Sequence, residues 1–378
     1  MAVCVGSRGI SNYAAIVRAV VKGLKERGAK PFIVPAMGSH GGATAEAQQG
    51  LLAEYGIDEQ HVGVPVRSAM DTVPIGVTPS GIETFMDRRA WDAGRVVLVN
   101  RVKPHTSFVA PVESGLMKML AVGLGKLDGA RHYHMAAMRI GFETALLESA
   151  RLLLASGKVL GGVAILENDR HQTAGVFATT SAEMESNERT WLARAREIRP
   201  RLPFDELDLL IVDEMGKDIA GTGMDTRVVG RSVHPEPDHA GSLGDLPGYT
   251  RVRRLYVRDL TPAAEGNATG VGMADIIHER LFRKIDFRVT YMNIGTSLSY
   301  VGGRIPVHFS SDRVAIEFAL RNLGLPAPDQ VRAVRIRNTL AMETIFASPA
   351  CARTLSGNRA YEVTEPQPME FDAAGNLV

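Results

Sequence analysis

The sequence predicts an α/β fold of two domains with mostly parallel sheets, and three observations carry that expectation. Short apolar runs of strand length alternate with longer runs whose apolar residues recur every three or four positions, the rhythm of βαβ units. Glycine- and histidine-bearing turns follow the ends of the strand-like runs, as they do where open α/β sheets bind ligands. Pro200-Arg201-Leu202-Pro203 then breaks the pattern just before a new apolar run, which divides the chain into domains of residues 1–200 and 201–378.

Taken in order, Ala2-Val3-Cys4-Val5 is the first strand, and Ser11 is placed to cap a helix in which Ile16, Val20 and Leu24 recur at four-residue spacing until Gly28 ends it. Phe32 to Val34 is the second strand, and Thr44 caps a helix reaching Tyr55. Strands follow at Arg95 to Val99 and Val159 to Leu166, with helices at Met135 to Leu154 and Ser181 to Ile198. The second half repeats this character, with strands at Leu207 to Val212, Arg251 to Val257, Phe287 to Met292 and Val331 to Ile336, and a helix at Arg313 to Leu323. The tail after Ser356 is irregular and is expected to fold back onto either domain.

Composition narrows the function classes. A chain of 378 residues that is 45% hydrophobic and 22% charged is large enough for two cores. Lys and Arg total 43 against 42 Asp and Glu, a formal charge of +1 that argues against a basic nucleic-acid binder. Cys4 and Cys351 alone supply no disulfide framework and no Cys-rich metal knuckle, so a reducing cytoplasm is the expected location. Arg151 and Lys158 interrupt the richest apolar stretch, so no membrane span is expected. The start of the chain shows no basic region followed by a long apolar core. None of these features speaks to oligomeric state.

The chemistry concentrates in two segments. Met37-Gly38-Ser39-His40-Gly41-Gly42-Ala43-Thr44 places His40 at the carboxyl end of a strand, with glycines that let the backbone approach a ligand. Val102-Lys103-Pro104-His105-Thr106-Ser107 is followed by Glu113-Ser114-Gly115-Leu116-Met117-Lys118 and His132-Tyr133-His134. The histidines suit base or metal-ligand roles near neutral pH, and the apolar neighbours of Lys118 predict a desolvated, nucleophilic amine. By residue type alone, His40, His105 and His134 also suit a zinc or nickel hydrolase with an activated water, and a noncatalytic metal or nucleotide carrier is a third possibility.

In the second half, the polar turn from Asp213 to Arg227 follows a strand, so Lys217, Thr222 and Arg227 are expected at a crevice edge where they suit a phosphate or carboxylate. Glu265 to Gly272 offers backbone donors to an anion but lacks a nucleotide-triphosphate loop ending. Gly123 to Gly129 misses the dinucleotide fingerprint, which disfavours a dissociable NAD.

The two histidine segments, in this order, resemble the nickel-dependent lactate racemase family. The resemblance matches His40 and His105 to the two catalytic histidines, Lys118 within Ser114-Gly115-Leu116-Met117-Lys118 to the lysine that tethers the cofactor, His134 to the nickel ligand, and Arg8 to an arginine that contacts substrate. Leu116 and Gly41 depart from the family pattern, which has glycine and arginine at these places. The resemblance implies two α/β domains with the active site in the cleft between them. Its cofactor is a nickel pincer nucleotide, a pyridinium mononucleotide with two thiocarboxylate arms, which Ser114, Gly115, Lys217, Thr222 and Arg227 would help to bind. The implied reaction is racemisation or epimerisation of a 2-hydroxy acid by reversible hydride transfer from C2, with cofactor-synthesis enzymes as partners and no nucleic acid or membrane.

Overall fold

The computed structural model describes residues 1–6, 9–105, 108–168, 171–198, 201–233, 249–297, 299–321, 323–324 and 327–378. It divides into two compact units, Met1–Arg199 and Pro200–Val378.

The first unit is built on β1 (Ala2–Val5), β2 (Phe32–Pro35), β5 (Val96–Arg101), β6 (Val159–Glu167) and β7 (Thr173–Thr180), in the spatial order β2-β1-β5-β6-β7. All neighbours are parallel except β6 and β7. A separate antiparallel hairpin joins β3 (Thr72–Val77) to β4 (Glu83–Asp87). Every residue of β1 is buried because both faces of the sheet are covered, and the two-residue alternation of a strand sends its side chains to two different cores. Ala2 and Cys4 join one core, which includes Met117 and Leu120, Tyr133 of α6 (Lys126–Ile140), Leu146 and Leu153 of α7 (Phe142–Ala155) and Leu192 of α8 (Met184–Glu197). Val3 and Val5 join the other, with Val17 and Val21 of α1 (Tyr13–Glu26), Leu52 of α2 (Ala45–Glu54) and Val62 of α3 (Glu59–Val62). Two short helices, α4 (Arg88–Asp92) and α5 (Gly115–Lys118), complete the unit.

The strand order fixes where a ligand belongs. From β1 the chain crosses to β2 on one side, and β5 then lies on the other side of β1. The carboxyl ends of β1 and β5 therefore flank a topological switch point, the place where open α/β sheets bind ligands.

The second unit has the order β13-β12-β11-β9-β14-β15, from β9 (Leu209–Val212), β11 (Leu255–Val257), β12 (Ile276–His278), β13 (Val307–Phe309), β14 (Ala333–Ile336) and β15 (Phe346–Ala347). Only β14 and β15 pair antiparallel within this sheet. The short strands β8 (Glu206–Leu207) and β10 (Arg251–Val252) pair separately. Leu210 and Val212 face a core with α9 (Thr226–Val229), α10 (Glu279–Lys284) and α13 (Pro349–Leu355), whereas Leu209 and Ile211 face α12 (Asp312–Arg321). The end of the tail packs on this unit, where Leu377 donates its N–H to Asp312 and accepts from Arg258.

Four expected elements differ, and Asn12 rather than Ser11 stands at the start of α1. The runs expected as single strands over 207–212 and 251–257 each divide, β8 and β10 pairing with each other while β9 and β11 lie in the six-stranded sheet. Residues 287–292 are not a strand but the start of α11 (Phe287–Ser297), because the carboxylate of Asp286 accepts the Val289 N–H at 3.0 Å and caps a helix there. The single helix expected over 135–154 is two, since Gly141, at φ 84°, separates α6 from α7. Among the described residues no helix is long and apolar enough to cross a membrane.

Candidate functional site

The His40 turn starts where β2 ends. Gly38, at φ 59°, donates its N–H to the carbonyl of Gly123 at 3.0 Å, and a Cβ there would stand 3.3 Å from the Val122 carbonyl, so the close approach calls for glycine. His40 is extended and exposed, and leads into a single 3-10 turn over Gly41–Ala43. Thr44 then caps α2 through the Ala47 N–H, as expected. From α2 the buried amide of Gln48 reaches back and donates to the carbonyls of Gly38 at 2.9 Å and His40 at 3.1 Å.

Behind this turn lies Lys126, which is 0% exposed. Its ammonium donates to the Pro35 carbonyl at 2.5 Å and to Gln48 Oε1 at 3.0 Å, and stands 3.3 Å from Asp87 Oδ2. Burial pulls the Lys126 amine below its ordinary pKa and lifts the Asp87 carboxyl above its own, while their mutual attraction opposes both shifts.

The His105 loop is tied by a second buried group. The carboxylate of Glu113 accepts the N–H groups of His105 at 2.6 Å and Ala110 at 2.9 Å, and pairs with Arg196 of α8 at 2.5 Å. The Ser114 hydroxyl closes the same loop by accepting from the Lys103 N–H at 2.8 Å and donating to the Lys103 carbonyl. The half-buried His105 ring lies 4.5 Å from Phe108, which stacks on Phe142 at 5.1 Å; Phe142 contacts Tyr133 at 6.4 Å, and Tyr133 meets His134 edge-on at 5.1 Å. One run of rings thus joins His105 to His134.

Lys118 ends the one-turn helix α5. Gly115 opens it at φ 76°, so close to Glu188 that a Cβ would stand 2.5 Å from Oε2. That oxygen accepts the N–H groups of Leu116 at 2.6 Å and Met117 at 3.2 Å, two of the donors a helix start leaves unpaired. Glu188 is fully buried and its Oε1 has no hydrogen-bond partner; burial pushes its carboxyl up to about 8. Asn100, at the end of β5, donates to the Gly115 carbonyl at 2.9 Å, and a Cβ on Gly6 would lie 2.7 Å from Asn100 Oδ1 and 3.5 Å from Met119 Cε. The lysine helix is therefore held beside the ends of β1 and β5, at the switch point. A π-helical turn over Met119–Gly123, closed by Leu124 N–H donating to Met119 O at 2.8 Å, leads on towards α6 and the half-buried His134.

The structure corrects one expectation: Lys118 is only half-buried, and the lysine withdrawn from water is Lys126. Leu116 and Met117 take the inward positions of the one-turn helix. His132 has Nε2 3.3 Å from Glu83 and its ring 5.0 Å from Phe85. Arg8 lies outside the described residues. In the second unit, Lys217, Thr222 and Arg227 follow β9, and their loop is tied by Asp225 N–H to Thr339 just past β14, the switch point of that sheet. The Thr222 hydroxyl donates to the Met224 carbonyl at 2.7 Å and Arg227 Nε to Tyr249 at 3.0 Å, so both shape the loop itself.

Residues 7–144 match the family model described as the lactate racemase N-terminal domain. This part of the chain is similar to a lactate racemase N-terminal domain. The matched segment takes in His40, His105, Ser114, Gly115, Lys118 and His134, and leaves Glu188 and Arg196 beyond its end. Among solved structures, the chain is similar to the lactate racemase apoprotein from Thermoanaerobacterium thermosaccharolyticum, with 15% identity and a TM-score of 0.46, over 68% of this chain and 60% of that one. A protein from Thermotoga maritima is similar at 12% identity and a TM-score of 0.49, over 68% and 65% of the two chains. The matches thus span 60% and 65% of those two chains. No curated protein matches the chain.

Proposed function

We propose that the chain is a racemase or epimerase of a 2-hydroxy acid that works with a nickel pincer nucleotide. The observation that carries this reading is the family match over residues 7–144, which encloses every histidine and the lysine that the chemistry requires. The donor set fits such a cofactor. One half-exposed amine, Lys118, and one half-buried imidazole, His134, stand on helices of the same unit, and a pincer ligand that already holds its metal asks the protein for one imidazole only. When bound, the group supplies a hydride acceptor.

The chain's own residues supply the rest. Lys118 would tether the cofactor as a thioamide and His134 would donate a neutral imidazole nitrogen to nickel. His40 and His105 would each take the hydroxyl proton of one enantiomer, since the two hydroxyls point differently, and an imidazole can both accept and return a proton. Arg8 would hold the substrate carboxylate. The three-histidine hydrolase reading asks His40, His105 and His134 to converge on one ion; among the described residues no group of three His, Cys, Asp or Glu is so placed.

The test uses protein coexpressed with cofactor-synthesis enzymes and a panel of 2-hydroxy acids deuterated at C2. Racemisation with most of the label retained is the expected result. Washout of the label into water at the rate of racemisation would defeat the hydride route.

A further inference from the structure

A buried ammonium carries a large desolvation penalty unless it is paired and hydrogen-bonded. A non-glycine residue in the left-handed region adds backbone strain. Lys126 carries both burdens, being 0% exposed and at φ 52°. Its partners show what this strained residue holds together: the Pro35 carbonyl stands at the entry to the His40 turn, Gln48 lies on the helix at its exit, and Asp87 ends β4.

Gln48 makes the link specific. An ammonium has donors and no acceptor, so the amide oxygen must face Lys126 and the amide nitrogen must face away. The nitrogen side is where the carbonyls of Gly38 and His40 sit, at 2.9 and 3.1 Å. Lys126 therefore selects the amide orientation, and the selected amide ties two carbonyls of the turn that carries His40. We propose that Gln48 and Lys126 are positioning residues that fix the backbone of the His40 turn, and through it the direction of the imidazole; the consequence for turnover rests on the racemase reading, the consequence for His40 itself does not.

Gln48→Glu tests this directly. It keeps an oxygen for Lys126 but presents a second acceptor to carbonyls that need a donor. The ring 1H–13C resonance of His40, assigned by its loss in His40→Gln, is expected to shift or broaden, while those of His61 and His132 stay in place. With cofactor-loaded enzyme, kcat is expected to fall about 10- to 100-fold with KM changed less than threefold, the pattern of a misdirected base rather than lost binding. Should Gln48→Glu not fold, judged by circular dichroism, Gln48→Met removes the same donors without adding charge and carries the same expectation. A His40 resonance unchanged in the folded variant overturns the proposal. If the wild type racemises nothing, the functional reading fails and the resonance alone decides the positioning role.

Discussion

Replacing Glu188 by glutamine should change how stability depends on pH more than it changes stability itself. In the unfolded chain a glutamate loses its proton near pH 4.5, whereas burial holds the folded carboxyl protonated to about 8. Between those values the folded state binds more protons than the unfolded one, so stability falls as pH rises. The contribution is fully present below pH 4.5 and is lost as pH climbs through about 8, at up to about 1.4 kcal/mol per pH unit. Across the window the loss is on the order of 4 kcal/mol, from a group that is completely buried. The glutamine of the Glu188→Gln variant cannot ionise, yet its amide oxygen can still accept the N–H groups of Leu116 and Met117. At pH 5 the two proteins should therefore lie within about 1 kcal/mol, and at pH 8 the variant should be the more stable by several. Urea unfolding from pH 5 to pH 9 reads this out, and tryptophan fluorescence reports the right unit, because both Trp91 and Trp191 lie in it. Parallel stability curves for the two proteins would show that Glu188 is already ionised in the fold, and the argument from burial would fail.

Two further outcomes follow from the lysine helix. Gly115→Ala forces a Cβ to within 2.5 Å of Glu188 at φ 76° and should cost about 2–4 kcal/mol; adding Glu188→Ala should recover part of that loss in a double-mutant cycle, and simple additivity would deny the contact. Lys118→Ala should abolish covalent attachment of the cofactor with the fold intact, as read by intact-protein mass; an unmodified mass for active, nickel-loaded wild type would refute the tether.

What the sequence disclosed was local chemistry. His40 and His105 sit in turns after apolar runs, and a glycine-flanked histidine behind a strand is visible within ten residues of text. The groups that hold those turns were not visible, because their partners are distant along the chain: Lys126 meets Pro35 across 91 positions, and Glu188 meets Leu116 across 72. Glu113 stood inside the flagged segment, yet nothing in its neighbours announced that both oxygens would be taken up by the His105 loop and Arg196. The α/β class survived because periodicity is a short-range property. The helix read as a strand at 287–292 shows the limit of that property, since bulky and β-branched residues suit either state and the deciding cap, Asp286, lay one residue outside the run.

The π-helical turn over Met119–Gly123 bears on how such a site could be altered. It lies between the lysine and the helix that bears His134, and one residue of helix corresponds to about 100° of rotation. Substitutions within the turn would leave that bearing alone. Deleting a single residue, such as Ala121, would let the backbone relax towards ordinary helix while swinging His134 to another azimuth, with both flanking helices still formed. Length rather than identity is then the dial on this stretch, and new spatial relations between amine and imidazole are reached most directly by insertion or deletion, a kind of change that libraries of point variants never sample.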